Sequence, residues 1–245
     1  MRRNTTSAAN LQCMASMVGI VMLMATSAEA ADKFYPPNSV VYGRTYADWS
    51  AAWHQWADSL PAAHHPLFDT ADCSAGQSGP VWFLGGRNCA PDVNNNCEGL
   101  PAVRTCNVPV GTALYFPVLN AACLDAEAEY GFCLGAGPII TEMRAAIADA
   151  IDQTTDLEVT LDRHRIKLEK GFRLQSPVYQ SMVPDGSLYQ ALGEQQIIAG
   201  TYLGVDDGIY VMLRPLSKGS HTLNFKGTFP QWEWTIDTTY NLIVE

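Results

Sequence analysis

Residues 157–168 read LEVTLDRHRIKL, and this stretch is the strongest indication of the fold class. Up to Leu161 its apolar residues fall at every second position, as they do in a strand that buries one face. Asp162-Arg163-His164 predicts a turn, and the alternation resumes at Ile166. The stretch therefore indicates a β-hairpin with one buried side.

The same period recurs further along the chain. Residues 235–244 alternate apolar and polar side chains and predict a last strand. Short apolar runs at residues 81–84, 113–116 and 210–213 predict buried strands between these segments. We predict a mainly β protein, an antiparallel β-sandwich of jelly-roll-like type, with two or so short helices packed on it.

Two helices are predicted beside the strands. The first begins at Thr45, whose side chain suits the capping position, and ends before Pro61. One face of this helix carries three indole rings, those of Trp49, Trp53 and Trp56. Such rings would suit a sugar-stacking platform, but their helical spacing favours packing in the core. The second helix covers residues 141–151.

The N-terminus has the features of an export signal. Arg2 and Arg3 precede an apolar run at residues 11–25, and Ala28-x-Ala30 fits the small-residue rule for cleavage. A transmembrane anchor is the alternative, although an anchor needs about 20 apolar residues and no cleavage site. We predict a signal peptide at residues 1–30, a single disulfide-stapled β-rich domain at 31–245, and a secreted or periplasmic location.

The charge of the chain restricts its partners. The chain has 15 Lys and Arg against 25 Asp and Glu, a net charge of −10. Removing residues 1–30 takes away Arg2, Arg3 and Glu29, so the counts become 13 and 24 and the net charge −11. A phosphate backbone requires a basic face, which argues against nucleic acid as a partner and equally against an anionic membrane surface. We predict no membrane span once the signal is removed.

Six of the seven cysteines lie outside the predicted signal peptide. They are Cys73, Cys89, Cys97, Cys106, Cys123 and Cys133. An even number in an exported chain indicates three disulfides, and spacing alone leaves their pairing open. A zinc site is the alternative, but no two of these cysteines show the close spacing typical of zinc ligands.

Several segments together resemble an uncharacterised family of exported bacterial β-rich proteins. They are YGRTYADWSAAWHQWADSLP at 42–61, GQSGPVWFL at 76–84, TCNVPVGTALYFPVLN at 105–120, DGIYVMLRPLSKGSHTLNF at 207–225 and TTYNLIV at 238–244. The resemblance implies export and a single β-rich domain, and it transfers no activity and no catalytic residue. It also implies a Cys73–Cys106 bridge, which leaves Cys89–Cys97 and Cys123–Cys133 as local bridges.

Few residues stand out as candidates for a functional site. Trp232 and Trp234 are two apart, so in a strand they would share one face, and with Glu233 they would line a sugar groove. The same residues are about equally suited to the core. Gly76-Gln77-Ser78-Gly79 lacks the final glycine of a nucleophile elbow, because Pro80 follows it. No catalytic residue, metal site or cofactor is predicted.

Two functions are compatible with the sequence. The first is a non-catalytic binding or structural domain at the cell exterior, with carbohydrate or another surface polymer as its ligand. The second is a secreted hydrolase of unrecognised type. A shallow aromatic surface would favour the first, whereas a cleft with clustered carboxylates or a Ser–His contact would favour the second.

Overall fold

A computed structural model describes residues 33–68, 72–88 and 100–245 of the chain. Two sequence predictions lie outside the described residues. They are the signal peptide at 1–30 and the Cys89–Cys97 bridge.

The first sheet has two long central strands. β3 (Ala113–Leu124) pairs antiparallel with β8 (Gly200–Leu213), and the short strand β1 (Val81–Phe83) pairs with the other edge of β3. The free side of β8 receives two short strands in succession, β6 (Arg173–Gln175) and β7 (Tyr179–Val183).

The second sheet contains the hairpin predicted from residues 157–168. Its order is β2 (Ala102–Val108), β10 (Trp234–Val244), β9 (Gly219–Phe229), β4 (Thr155–Leu161) and β5 (His164–Ile166). Asp162 and Arg163 connect β4 to β5 with φ angles of 50° and 68°. Two successive residues of positive φ form the turn that matches the twist of a two-residue hairpin.

The β-rich fold with short helices packed on it is confirmed, and its two sheets are mixed. Each sheet contains one parallel pair, β1 with β3 in the first and β2 with β10 in the second. Parallel neighbours need a crossover connection. The chain supplies one by leaving β1, forming β2 in the opposite sheet and returning as β3. These two pairs depart from the predicted antiparallel arrangement, which the other strand pairs of the described residues follow.

The two sheets enclose the main core. Alternate side chains of β3 and β8 face the second sheet, where Phe116 stacks on Phe225 with ring centroids 4.8 Å apart. The intervening side chains of the same strands, such as Tyr115 and Tyr210, face the opposite way and are also buried. The central strands of the first sheet are therefore covered on both faces.

Helix α1 (Tyr46–Asp58) covers the outer face of the first sheet. Thr45 caps it as predicted, since the Thr45 hydroxyl accepts from the Asp48 N–H and the Asp48 carboxylate accepts from the Thr45 N–H. The three indoles predicted for the core are buried, with exposures of 5–7% for Trp53, Trp56 and Trp49. Each indole N–H donates to a backbone carbonyl, which satisfies its one polar atom.

The other helices are α2 (Asp125–Glu129), α3 (Ile140–Asp152) and α4 (Leu188–Ala191). The helix predicted at residues 141–151 is α3, which buries Met143, Ile147 and Ile151. Within the described residues, no helix combines the length and the apolar character needed to cross a membrane.

Two of the predicted disulfides are formed. Cys73–Cys106 joins the loop before β1 to β2, with the Cα atoms 5.9 Å apart. Cys123–Cys133 joins the end of β3 to the loop after α2, with the Cα atoms 5.5 Å apart. The first bridge connects the loop that follows α1 to the second sheet, and the second fixes α2 against the first sheet.

Candidate functional site

A cleft of about 240 Å³ opens beside α1. Its apolar wall is formed by side chains from four parts of the chain, Trp53, Leu67, Pro117, Trp234 and Ile236. Its polar side chains include those of His54, Asp58, Asn120, Glu127 and Glu194. The cleft therefore combines large apolar surfaces with a small number of polar groups, as small-molecule sites do.

The backbone beneath this cleft is fixed by an arginine and a tyrosine. Arg104 donates to the hydroxyl oxygen of Tyr240 at 2.7 Å and to the carbonyls of Gly85 and Leu67 at 3.0 and 3.1 Å. The Tyr240 hydroxyl donates in turn to the Gly85 carbonyl at 2.7 Å. A Cβ on Gly85 would lie 2.9 Å from the Trp53 ring, so only glycine permits this close approach.

A buried ion pair lies at the base of the polar side. His54 Nε2 lies 3.0 Å from Asp206 Oδ1, and both residues are at most 5% exposed. Asn120 Nδ2 and the Tyr210 hydroxyl donate to the same oxygen at 3.2 and 2.9 Å. Burial lowers the pKa of His54, but the charge and hydrogen bond of Asp206, together with the charge of Asp58, raise it by more, so the net pKa lies above its usual value.

Asn120 reaches this site because β3 contains a bulge. Pro117 pairs with Tyr210 and Leu119 with Ile209, so Val118 is an extra residue in the strand. Before the bulge, odd-numbered positions such as Tyr115 and Pro117 face α1, and after it Asn120 does so. A bulge thus redirects a side chain toward the cleft, as bulges near functional sites commonly do.

A second polar cluster fixes the end of α1. Asp58 is 2% exposed and accepts hydrogen bonds from the Ser181 and Tyr189 hydroxyls, the latter at 2.8 Å. Burial raises the pKa of Asp58, and the charge of His54 with these two hydrogen bonds opposes the rise. His54 and Asp58 are four residues apart on α1, so both emerge on the same side of the helix.

Two further carboxyl groups, those of Glu127 and Glu194, line the cleft. Glu127 is 9% exposed, and its Oε2 accepts from the Leu124 N–H at 2.6 Å. Burial raises the pKa of Glu127 well above its usual value, and the charge of Glu194 raises it further. Glu194 Oε2 is buried and has no hydrogen-bond partner among the described residues, and burial raises the pKa of Glu194 to about 7.

The three residues predicted for a sugar groove do not lie on one strand face in the structure. Trp232 ends a short 3-10 turn, and Glu233 follows it with a φ of 51°, so these residues are not successive positions of one strand. Trp234 begins β10, stacks on Phe229 with centroids 5.8 Å apart and lines the cleft. Trp232 is 44% exposed, and neither it nor Glu233 lines the cleft.

A Ser–His–Asp contact exists elsewhere, at the turn before β9. His221 Nδ1 lies 2.8 Å from Asp162 Oδ2, and His221 Nε2 lies 3.3 Å from the Ser217 hydroxyl. The same Nε2 lies closer, at 2.9 Å, to the backbone carbonyl of Ser217. Nε2 thus lies nearer to this carbonyl than to the serine hydroxyl, and none of the three residues lines the cleft, so we interpret the contact as one that fastens two turns together.

Neighbouring acidic residues do not combine into a metal site. Asp206 and Asp207 are successive in β8 and point to opposite faces, as strand geometry requires. Asp207 accepts from Arg173 Nε at 3.0 Å and Arg173 Nη2 at 3.1 Å, whereas Asp206 contacts His54. Among the described residues, no group of three or more His, Cys, Asp or Glu is arranged to hold a metal ion.

Sequence reasoning did not find the polar side of the cleft. One signal was present, the pair His54 and Asp58 at positions i and i+4 of a helix whose other face is aromatic. Asp206, the partner of His54, is 152 residues away along the chain, and nothing local in the sequence indicates that contact. Of the three residues predicted for a sugar groove, Trp234 alone lines this cleft.

Comparisons with protein-family models, curated proteins and solved structures find no match to this chain. The fold and site define a two-sheet β-sandwich with an amphipathic cleft between a covering helix and the sandwich edge.

Proposed function

We propose that the chain is an exported binding domain whose cleft takes a carbohydrate. The observation that carries the proposal is the pairing of indole surface with carboxyl and amide groups in one cleft, where Trp53 and Trp234 accompany Asn120, Glu127 and Glu194. A sugar presents an apolar face of C–H groups and an edge of hydroxyls. Aromatic rings suit that face, and carboxyl and amide groups suit the hydroxyls.

Export is supported by the cysteine chemistry. Two disulfides are formed, and disulfides persist in oxidising compartments such as the periplasm and the cell exterior. The apolar N-terminal run ending in Ala28-x-Ala30 agrees with this location.

The test uses two tryptophans that differ in their relation to the cleft. An array of neutral and charged oligosaccharides is first screened with the mature oxidised protein. We expect Trp234→Ala to weaken binding on the order of tenfold, because it removes part of the cleft wall. Trp232→Ala is the matched control, since its ring contacts the same Phe229 but lies outside the cleft. Equal loss in both variants, or no binding by the wild type, would contradict the proposal.

A secreted hydrolase is the second candidate. The observation that favours it is the presence of Glu127 and Glu194 in one cleft, both with a raised pKa. A carboxylic acid that stays protonated near neutral pH is the general acid that glycoside cleavage requires. Release of reducing ends from a bound oligosaccharide, lost in Glu127→Gln while binding persists, would support this candidate over simple binding.

A further inference from the structure

We infer that the carbohydrate recognised by the cleft is an amino sugar, whose ammonium group binds beside the carboxyl groups of Glu127 and Glu194. This inference rests on the proposed function and specifies its ligand class. It follows from the charges that line the cleft and from the hydrogen bonds that those charges lack.

The charged side chains that line the cleft are mainly acidic. Asp58, Glu127 and Glu194 contribute three carboxyl groups, and no lysine or arginine is among the described residues that line the cleft. His54 is the one basic group of this described lining, and it is already paired with Asp206 at 3.0 Å. A ligand that carries its own positive charge would balance these carboxyl groups.

The hydrogen bonding identifies which carboxyl groups are available. Asp58 is occupied by two hydroxyl donors from Ser181 and Tyr189. Glu127, in contrast, uses one oxygen for the Leu124 N–H, and Glu194 has a buried oxygen without a partner in the part of the chain that the structure describes. A buried acceptor left without a donor is costly, and an ammonium group offers three donors.

The energetics favour a cation over a neutral hydroxyl. Burial disfavours the charged form of both carboxyl groups, and the charge of Glu194 further disfavours that of Glu127, which is why their pKa values are raised. A cation beside them favours the charged forms, so its binding should release protons. The ring of Trp234, which lines the same cleft, also attracts a cation, since its face carries negative charge density.

The experiment is a calorimetric titration of the mature oxidised protein at pH 6.0, with a glucosamine tetramer and an N-acetylglucosamine tetramer as probes. Each titration is run in phosphate and in imidazole, whose ionisation enthalpies differ. We expect the amino form to bind on the order of tenfold more tightly than the acetylated form. We also expect a binding enthalpy that differs between the two buffers because protons are released.

Two variants locate the effect in the cleft. Glu194→Gln should lose most of the preference for the amino form and most of the proton release. Glu169→Gln is the matched control, because this exposed glutamate pairs with Lys167 outside the lining and should keep both. A preference that survives Glu194→Gln would show that the net negative charge of the surface attracts the cation, and would overturn the inference.

The outcomes separate the inference from the function on which it rests. Binding of the acetylated tetramer that equals or exceeds that of the amino tetramer would overturn the inference and leave carbohydrate binding in place. Failure of both tetramers, and of the wider oligosaccharide array, would overturn both.

Discussion

Glu194 links the chemistry of the cleft to the stability of the fold. Its pKa rises from an ordinary 4.5 to about 7 on folding, because burial disfavours the charged form. The folded protein therefore holds this proton over a pH range in which the unfolded chain has lost it. The resulting contribution of Glu194 to the free energy of unfolding is present at pH values below its pKa in the unfolded chain. It is lost as the pH rises through the pKa of Glu194 in the folded protein.

Glu194→Gln should remove this pH dependence. At pH 4 we expect the melting temperatures of wild type and variant to be close, since the glutamate is largely protonated in both states. At pH 8 the variant should melt at a higher temperature, because it has no charge to bury. Thermal melts of both proteins at the two pH values check this, and a difference that is the same at both would contradict the raised pKa.

Helix α1 has a face that packs in the core and a side that lines the cleft. Trp49 lies in the core and does not line the cleft. We expect Trp49→Ala to lower the free energy of unfolding by about 3–5 kcal/mol, through lost burial and the cavity left behind. Gln55→Ala on the exposed side of the same helix should change it by about 0.5 kcal/mol. Urea denaturation measures both, and a Trp49→Ala variant as stable as the wild type would exclude a core role for the indole-bearing face of α1.

The elements that can be predicted from sequence are those with an unbroken period or a short apolar run. The β4–β5 hairpin, β10, α1 and α3 each follow one apolar repeat and lie where that repeat predicts them. The part of β8 before Tyr210 is not predicted, because it contains Asp206 and Asp207. Those aspartates are buried in a strand because His54 and Arg173, from distant parts of the chain, pair with them.

Strand β2 is a second element that the sequence does not predict. No strand is predicted from the sequence in this stretch, and the buried positions of the strand are Ala102, Cys106 and Val108. These small side chains carry a weak hydrophobic signal. The strand is held by its parallel pairing to β10 and by the Cys73–Cys106 bridge, and both are contacts with distant parts of the chain.

In the molecule as a whole, the cleft exists only after the two sheets and the helices have assembled. Its lining comes from α1, the bulged part of β3, α2, the segment around α4 and the start of β10. Each stretch of sequence contributes only a few of the lining residues. The β-rich fold and the packing of α1 can therefore be predicted from sequence, whereas the site depends on register, a bulge and long-range ion pairing.

A crystal structure of the mature protein with the glucosamine tetramer would locate the ligand directly. We predict ligand density in the cleft, with one sugar ring against Trp234 and an amino nitrogen within hydrogen-bonding distance of Glu127 or Glu194. Density located instead on the exposed surface of Trp232, with the cleft empty, would contradict carbohydrate recognition by the cleft.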